Sequence, residues 1–325
     1  MADWRRWLRL FEISAIIYHP ALANVHSERT GATMSWVTGL EHFVRNDEPL
    51  ASRCWLRCGG PAAFFAEPAT MDDLVELVKR CAAESLPVRL LGNGSNVLIR
   101  STGLEGVTIS LDAPAFGAVS VDGNSIKAGG GVALAHVITA AAGAGLAGLE
   151  QLIGIPGTVG GALHGNSGDR TTDVGDWVSQ VTVLDRAGEV RTLSKEQMTF
   201  SYRSSSVDEL AILDATFQLE PESNDELIRR MQKLWIVKRA KQPTGENATA
   251  CLFKDPIGMT AGETIEQAGL KTARSGGASL LDRDPNFVLL SQDASSDDVV
   301  KLLDEVREQV SQKLGVELET AIQIW

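Results

Sequence analysis

Residues 148–168 read GLEQLIGIPGTVGGALHGNSG, seven glycines in twenty-one positions. Glycine loses more chain entropy on folding than any other residue, so a cluster this dense answers a need. Two needs fit: turns that require positive φ, and close approach of bare main chain to a flat or anionic ligand. A turn between strands uses one or two glycines, and Gly154, Gly157, Gly160 and Gly161 exceed that. The plain alternative is a glycine-rich surface turn. A second stretch, LLGNGSNVLIR, sets Gly92, Asn93, Gly94, Ser95 and Asn96 between two apolar runs. Successive N–H groups in such a bend form an anion nest, and Ser and Asn side chains add donors. No Gly-Lys-Ser/Thr follows, which excludes a P-loop, and no helix with the Rossmann glycine spacing opens on it. Together the bends suggest a dinucleotide held by two separate loops.

Length and charge narrow the rest. A chain of 325 residues suits two or three domains. A net charge of −12 argues against a general nucleic-acid binder, which needs a basic surface. No apolar stretch is long enough to span a bilayer. Cys54, Cys58, Cys81 and Cys251 lack the spacing of a metal site or a disulfide framework, so free thiols, a cytoplasmic location and no metal are expected. The first residues imitate a signal peptide, but Glu12 interrupts the apolar part and His19-Pro20 breaks it. Residues 1–45 are expected to form a poorly ordered extension, with Met34 a candidate start.

Periodicity supplies the elements. Thr70 and Asp73 have capping-box spacing ahead of a helix whose Leu74, Leu77, Val78 and Cys81 share a face. Asp122-Gly123 and Ala187-Gly188 read as hairpin turns. A helix over 132–144 turns Leu134, Val137, Ile138 and Ala141 inward. A polar linker at 220–224 precedes a helix to about 240, with Ile228, Met231, Leu234 and Trp235 on one face. A long helix over 297–314 ends at Gly315, and a terminal strand follows. Helices and strands mixed across three units indicate α+β architecture.

LGNGSN, GIPGTVGGALHGNSG and the entry segment NDEPLASRCWLRCGGPAAFF resemble the flavin-binding segments of the UDP-N-acetylenolpyruvoylglucosamine reductase family. The resemblance implies a two-subdomain FAD-binding fold of the vanillyl-alcohol-oxidase type, at 46–115 and 116–220, and a C-terminal α+β substrate domain at 221–325. It places FAD against Gly59, Gly92, Asn93, Gly94, Ser95, Asn96, Ile155, Pro156, Gly157, Thr158, Gly160, Gly161 and Asn166. It implies NADPH as reductant and the enolpyruvyl ether of a UDP-sugar as substrate, in peptidoglycan precursor synthesis. Only small-molecule partners are implied, with no nucleic acid or membrane, and a monomer is expected.

On the substrate side, FSYRSSS matches the family's Tyr-Arg-x-Ser segment at Tyr202, Arg203 and Ser205, which assigns Arg203 to the substrate carboxylate. An arginine fork suits that task because it grips a carboxylate bidentately. Cys251, in ACLFKDP, falls on the family's proton-donor position. An ordinary thiol is mostly protonated at neutral pH and so can donate. The bland alternative is a small buried hydrophobe. Tyr202, Lys254, Lys271, Arg274 and Asn286 are the expected substrate contacts. The family's catalytic glutamate is Ala321 here, and Glu319 is the expected substitute, because residues two apart on a strand share a face. Asp255 replaces a usual Asn, and Asp284-Pro285 replace His-Ala. These departures leave two further readings: a diverged flavin-binding paralogue with lost or changed catalysis, and a nucleotide-sugar binder without flavin.

Overall fold

The structure is a computed structural model that describes residues 35–169, 171–241 and 249–325. The expectations for residues 1–34 lie outside the described residues. In the first unit, β1 (Val44–Pro49), β2 (Pro61–Ala66), β3 (Val88–Leu90) and β5 (Leu104–Ile109) form a sheet in the order β1-β2-β5-β3. The short β4 (Val97–Leu98) lies outside that sheet. Helix α1 (Met71–Ala83) begins at the predicted box: Thr70 Oγ1 accepts the Asp73 N–H at 3.2 Å, and the Asp73 carboxylate accepts the Thr70 N–H at 3.1 Å. Its Leu74, Leu77, Val78 and Cys81 are buried, in one core with Trp36, Leu40, Phe43 and Val44. The expected extension to residue 45 is therefore corrected. Residues 36–44 carry enough apolar surface to seal this unit and are part of it.

The second unit is an antiparallel sheet with helices on it. Its strands are β6 (Val119–Asp122), β7 (Ser125–Gly129), β9 (Val178–Leu184), β10 (Val190–Ser194) and β13 (Ala211–Gln218), in the order β10-β9-β13-β7-β6. Asp122 pairs with Ser125, so the first hairpin turns on Gly123-Asn124, one residue later than expected. Between these strands lie α2 (Leu134–Gly143), β8 (Leu146–Ala147), α3 (Val159–His164) and a small hairpin, β11 (Phe200–Ser201) with β12 (Ser204–Ser205). After β14 (Glu220–Pro221), α4 (Asn224–Lys241) folds back: Leu227 and Met231 are buried in the same core as α2. This moves the boundary expected at 221 to the far end of α4. The amphipathic pattern called for a buried face but could not say which unit covers it.

The third unit is a four-stranded antiparallel sheet, β15 (Thr249–Cys251), β18 (Asp284–Leu290), β17 (Ala278–Leu281) and β16 (Arg274–Ser275) in that order, with α5 (Ala261–Gln267) and α6 (Ser296–Leu314) on it. Ser295 caps α6, and Gly315 ends it in the left-handed conformation. The chain then returns to the first unit, where β19 (Gln323–Ile324) pairs parallel to β4. That seam brings the C-terminus beside the first glycine bend. Among the described residues no helix is long and apolar enough to cross a membrane, and no three His, Cys, Asp or Glu side chains are placed to hold a metal ion.

Candidate active site

The two glycine bends touch. A Cβ on Gly92 would stand 2.7 Å from Thr158 Oγ1, and one on Gly157 would stand 3.1 Å from Ser95 Oγ. Each bend therefore needs glycine where it meets the other, and Gly157 also has φ +118, which L side chains rarely adopt. Among the described residues, none of the five main-chain amides at 92–96 donates a hydrogen bond to a protein group, nor do those of Gly157 and Thr158. Such a set of open donors is an anion cradle. Gly160 is different: its N–H goes to Gly130 O at 2.9 Å, and Gly161 N–H goes to the Thr158 hydroxyl at 3.2 Å. These two glycines build α3 rather than offering amides. Gly59 is explained by packing, since a Cβ there would lie 2.8 Å from Ile99.

Two of the expected cofactor side chains are spent inside the protein. Asn166 is 1% exposed; its amide donates to Asp173 Oδ2 (3.1 Å) and Ser201 O (2.8 Å) and accepts from Gly175 N–H (3.1 Å). It ties the end of the glycine stretch to the β11–β12 hairpin, so the polar atoms of this side chain are already engaged. Asn96 Nδ2 donates to Ala321 O at 2.9 Å, so this side chain holds the C-terminal seam. Helix α4 clamps the near flank. Buried Glu150 accepts from Gly148 N–H and from Arg230 (2.7 Å), while Lys238 donates to Gln151 O (2.6 Å) and pairs with Asp169 (3.3 Å).

The hairpin projects its two loop residues, Tyr202 and Arg203, toward the third unit. Tyr202 Oη accepts the Asp255 N–H at 3.1 Å, across the boundary between units. Arg203 has φ +56, a conformation that costs a non-glycine residue ~1–2 kcal/mol. Strain of this kind persists where surrounding structure over-determines it. Here Asn166 anchors one strand of the hairpin, and Ser205 Oγ anchors the other by donating to His164 O at 2.9 Å.

Cys251 ends β15, opposite Phe287 on β18, and is the one free cysteine of four that is only partly buried. Burial pushes its thiol up to about 11, Arg203 pulls it down, and Asp284 and Asp255 push it up. The thiol is thus protonated at neutral pH, and the Arg203 guanidinium favours its charged form. Cys54, Cys58 and Cys81 are also raised by burial, but they are sealed in cores. Position, not acidity, singles out Cys251. The influence of Asp284 and Asp255 on the thiol was not anticipated from the sequence.

Residues 62–194 match the FAD binding domain family, and residues 242–325 match the family described as UDP-N-acetylenolpyruvoylglucosamine reductase, C-terminal domain. The UDP-N-acetylenolpyruvoylglucosamine reductase of Rhodopirellula baltica is 39% identical over 286 residues, 88% of this chain and 94% of that one. The chain belongs to this reductase family. The Bradyrhizobium enzyme of the same name is 38% identical over 277 residues, 85% of this chain and 90% of that one. The crystal structure of the Thermus caldophilus reductase superimposes with a TM-score of 0.75 at 32% identity, covering 87% of this chain and all of that one. The chain is therefore an FAD-dependent oxidoreductase by family, and both glycine bends lie inside its FAD-binding domain. Open amides and bare Cα atoms in the two bends fit such a dinucleotide.

Glu319 is 71% exposed and paired with Lys254 Nζ at 2.5 Å, and the charges acting most on the thiol come from Arg203, Asp284 and Asp255. The Glu319 carboxylate neutralises Lys254 at the rim. Asn286 is 7% exposed, with its amide engaged by Phe253 and Cys251, so it lies behind the thiol rather than facing substrate. Lys271 pairs with Glu266 at 3.2 Å, and Arg274 is exposed on β16; among the described residues neither bonds to Arg203, Cys251 or the bends.

Proposed function

We propose that this chain reduces the enolpyruvyl ether of UDP-N-acetyl-3-O-(1-carboxyvinyl)-glucosamine to UDP-N-acetylmuramate with electrons from NADPH, in the cytoplasm, for peptidoglycan precursor synthesis. The observation that supports it is the bond from Asp255 N–H to Tyr202 Oη, which joins the β11–β12 hairpin carrying Arg203 to the segment that follows Cys251. FAD, held by the amides of residues 92–96 and of Gly157 and Thr158, supplies the hydride when bound. Arg203 holds the substrate carboxylate and stabilises the charge that spreads into it. Cys251, neutral at physiological pH, gives its proton to the carbon next to that carboxylate. Tyr202 and Lys254 line the mouth, and Lys271 and Arg274 serve the diphosphate. The substrate works as a small molecule on a single copy of the chain.

Ala321 favours a second reading: a flavoprotein of this family whose catalysis is impaired or redirected. An anaerobic two-step experiment separates them. NADPH is added to the FAD-loaded protein until the flavin bleaches, and the enolpyruvyl UDP-sugar follows. Return of the oxidised flavin spectrum supports the reductase reading; a flavin that stays bleached leaves only the second.

A further inference from the structure

Asn286 makes three bonds with one amide. Its Oδ1 accepts the Phe253 N–H at 2.9 Å, its Nδ2 donates to Phe253 O at 2.9 Å, and the same Nδ2 donates to Cys251 Sγ at 3.3 Å. Both amide hydrogens are thereby directed, and a flipped amide would set oxygen against Phe253 O and against sulfur. The orientation is fixed, and with it the distance between the amide hydrogen and Sγ. The backbone of Asn286 is fixed in turn: its N–H goes to Asp284 Oδ1 at 3.1 Å, and its carbonyl accepts from Leu252 N–H at 2.9 Å.

We infer that Asn286 is the positioning residue of the Cys251 thiol, setting the sulfur in place and stabilising the charge left on it when its proton departs. This rests on the reading of Cys251 as proton donor. In that step the S–H bond breaks with its electron pair left on sulfur, the substrate carbon takes the proton on its own pair, and the thiolate later recovers a proton from water. A donor already aimed at the sulfur costs no reorganisation as the negative charge develops. Burial acts most on the thiol and opposes the thiolate; Arg203, from the β11–β12 hairpin, and the Phe253 backbone favour it, while Asp284 at the start of β18 and Asp255 after β15 oppose it. Burial and the two carboxylates leave the thiolate under-supported, and the Asn286 donor, 3.3 Å from the sulfur, offsets part of that.

The test uses the FAD-loaded protein with Asn286→Asp, which keeps the shape and the bond from Phe253 N–H but removes the donor to sulfur and to Phe253 O and sets a carboxylate oxygen in its place. Asn286→Ser, which keeps a small donor, is the second variant should the first fold poorly; melting curves and flavin absorbance report integrity. Iodoacetamide labelling of Cys251, followed by peptide mass spectrometry, reads the thiolate fraction. For Asn286→Asp, labelling at about pH 9 is expected to fall about tenfold and to need about one more pH unit to recover. Flavin reoxidation by the enolpyruvyl UDP-sugar is expected to slow about 10²-fold, with reduction by NADPH unchanged. Asn286→Ser recovers part of both losses. A labelling profile in Asn286→Asp that superimposes on that of the unsubstituted protein overturns the assignment. The donor reading itself fails by a different result, a Cys251→Ala protein whose flavin is reoxidised at the full rate.

Discussion

Substituting Gly157 by alanine tests the bends at their point of contact. Its φ of +118 strains any L side chain by ~1–3 kcal/mol, and the new methyl would sit 3.1 Å from Ser95 Oγ, tighter than most contacts. In FAD-free protein the peptide can rotate to relieve this, carrying the amides of Gly157 and Thr158 out of position. Binding FAD must restore them, so the ~1–3 kcal/mol reappears as a Kd raised about 5–150-fold. The assay is a titration of apoprotein with FAD, read by quenching of flavin fluorescence. Gly258→Ala is the control: it has φ +94 with no atom within 4 Å of the added carbon, and it lies far along the chain from both bends. It should lower stability by a similar amount and leave the Kd unchanged. A Gly157→Ala protein that binds FAD as tightly as the unsubstituted one would refute the claim that this bend holds the cofactor.

Other perturbations have equally definite outcomes. Arg203→Gly relieves the φ +56 strain and should raise urea-unfolding stability by ~1 kcal/mol while slowing flavin reoxidation by the sugar about 10²-fold or more; a loss of both stability and rate would contradict it. Ala321 gives its N–H to Leu252 O (2.8 Å) and takes the Asn96 amide on its carbonyl (2.9 Å), so its side chain grows from the seam between the first bend and the thiol strand. Ala321→Glu should therefore speed stopped-flow reoxidation, by up to about 10²-fold; no gain would mean that a carboxylate there is dispensable in this chain. Burial raises Cys54 from an ordinary 9.0 to about 12, and Cys58 and Cys81 to about 11. Below pH 9 folded and unfolded thiols are both protonated and this contribution is complete; above it only the unfolded thiols ionise. Stability should thus fall from about pH 9 until the folded thiols ionise at about 11–12, by ~1 kcal/mol per buried thiol per pH unit. Cys81→Ala should flatten that slope in urea titrations, and an identical slope would count against it.

Local signals carried far in this chain, and their limits are physical. The Thr70–Asp73 box and the face of α1 were legible because a helix start and a helical stripe are written in adjacent residues. The adjacency of the two bends was legible only as a suggestion from their shared chemistry; their contact through Thr158 and Ser95 is tertiary. Trp36 and Phe43 follow a stretch that imitates a signal peptide, yet their apolar surface is buried like any core residue's. The pattern on α4 fixed a buried face but not its partner, and the helix went to the wrong unit. At the site, the family resemblance singled out Arg203 and Cys251, which residue type alone does not. It could not reveal that Asn166 and Asn286 have their hydrogen bonds spent inward, or that Glu319 turns to Lys254. Those facts depend on which donors and acceptors folding brings together.

The central claim is that two glycine bends hold FAD and that the Cys251 thiol and Arg203 guanidinium border the same pocket. A crystal structure of the FAD-loaded protein measures this directly. The expected result is dinucleotide oxygens within hydrogen-bond distance of the amides at 92–96 and of Gly157 or Thr158, with Cys251 Sγ and Arg203 both lining the substrate side of the flavin ring. A flavin seated away from either bend, or a Cys251 side chain turned from the ring into the protein, would contradict it.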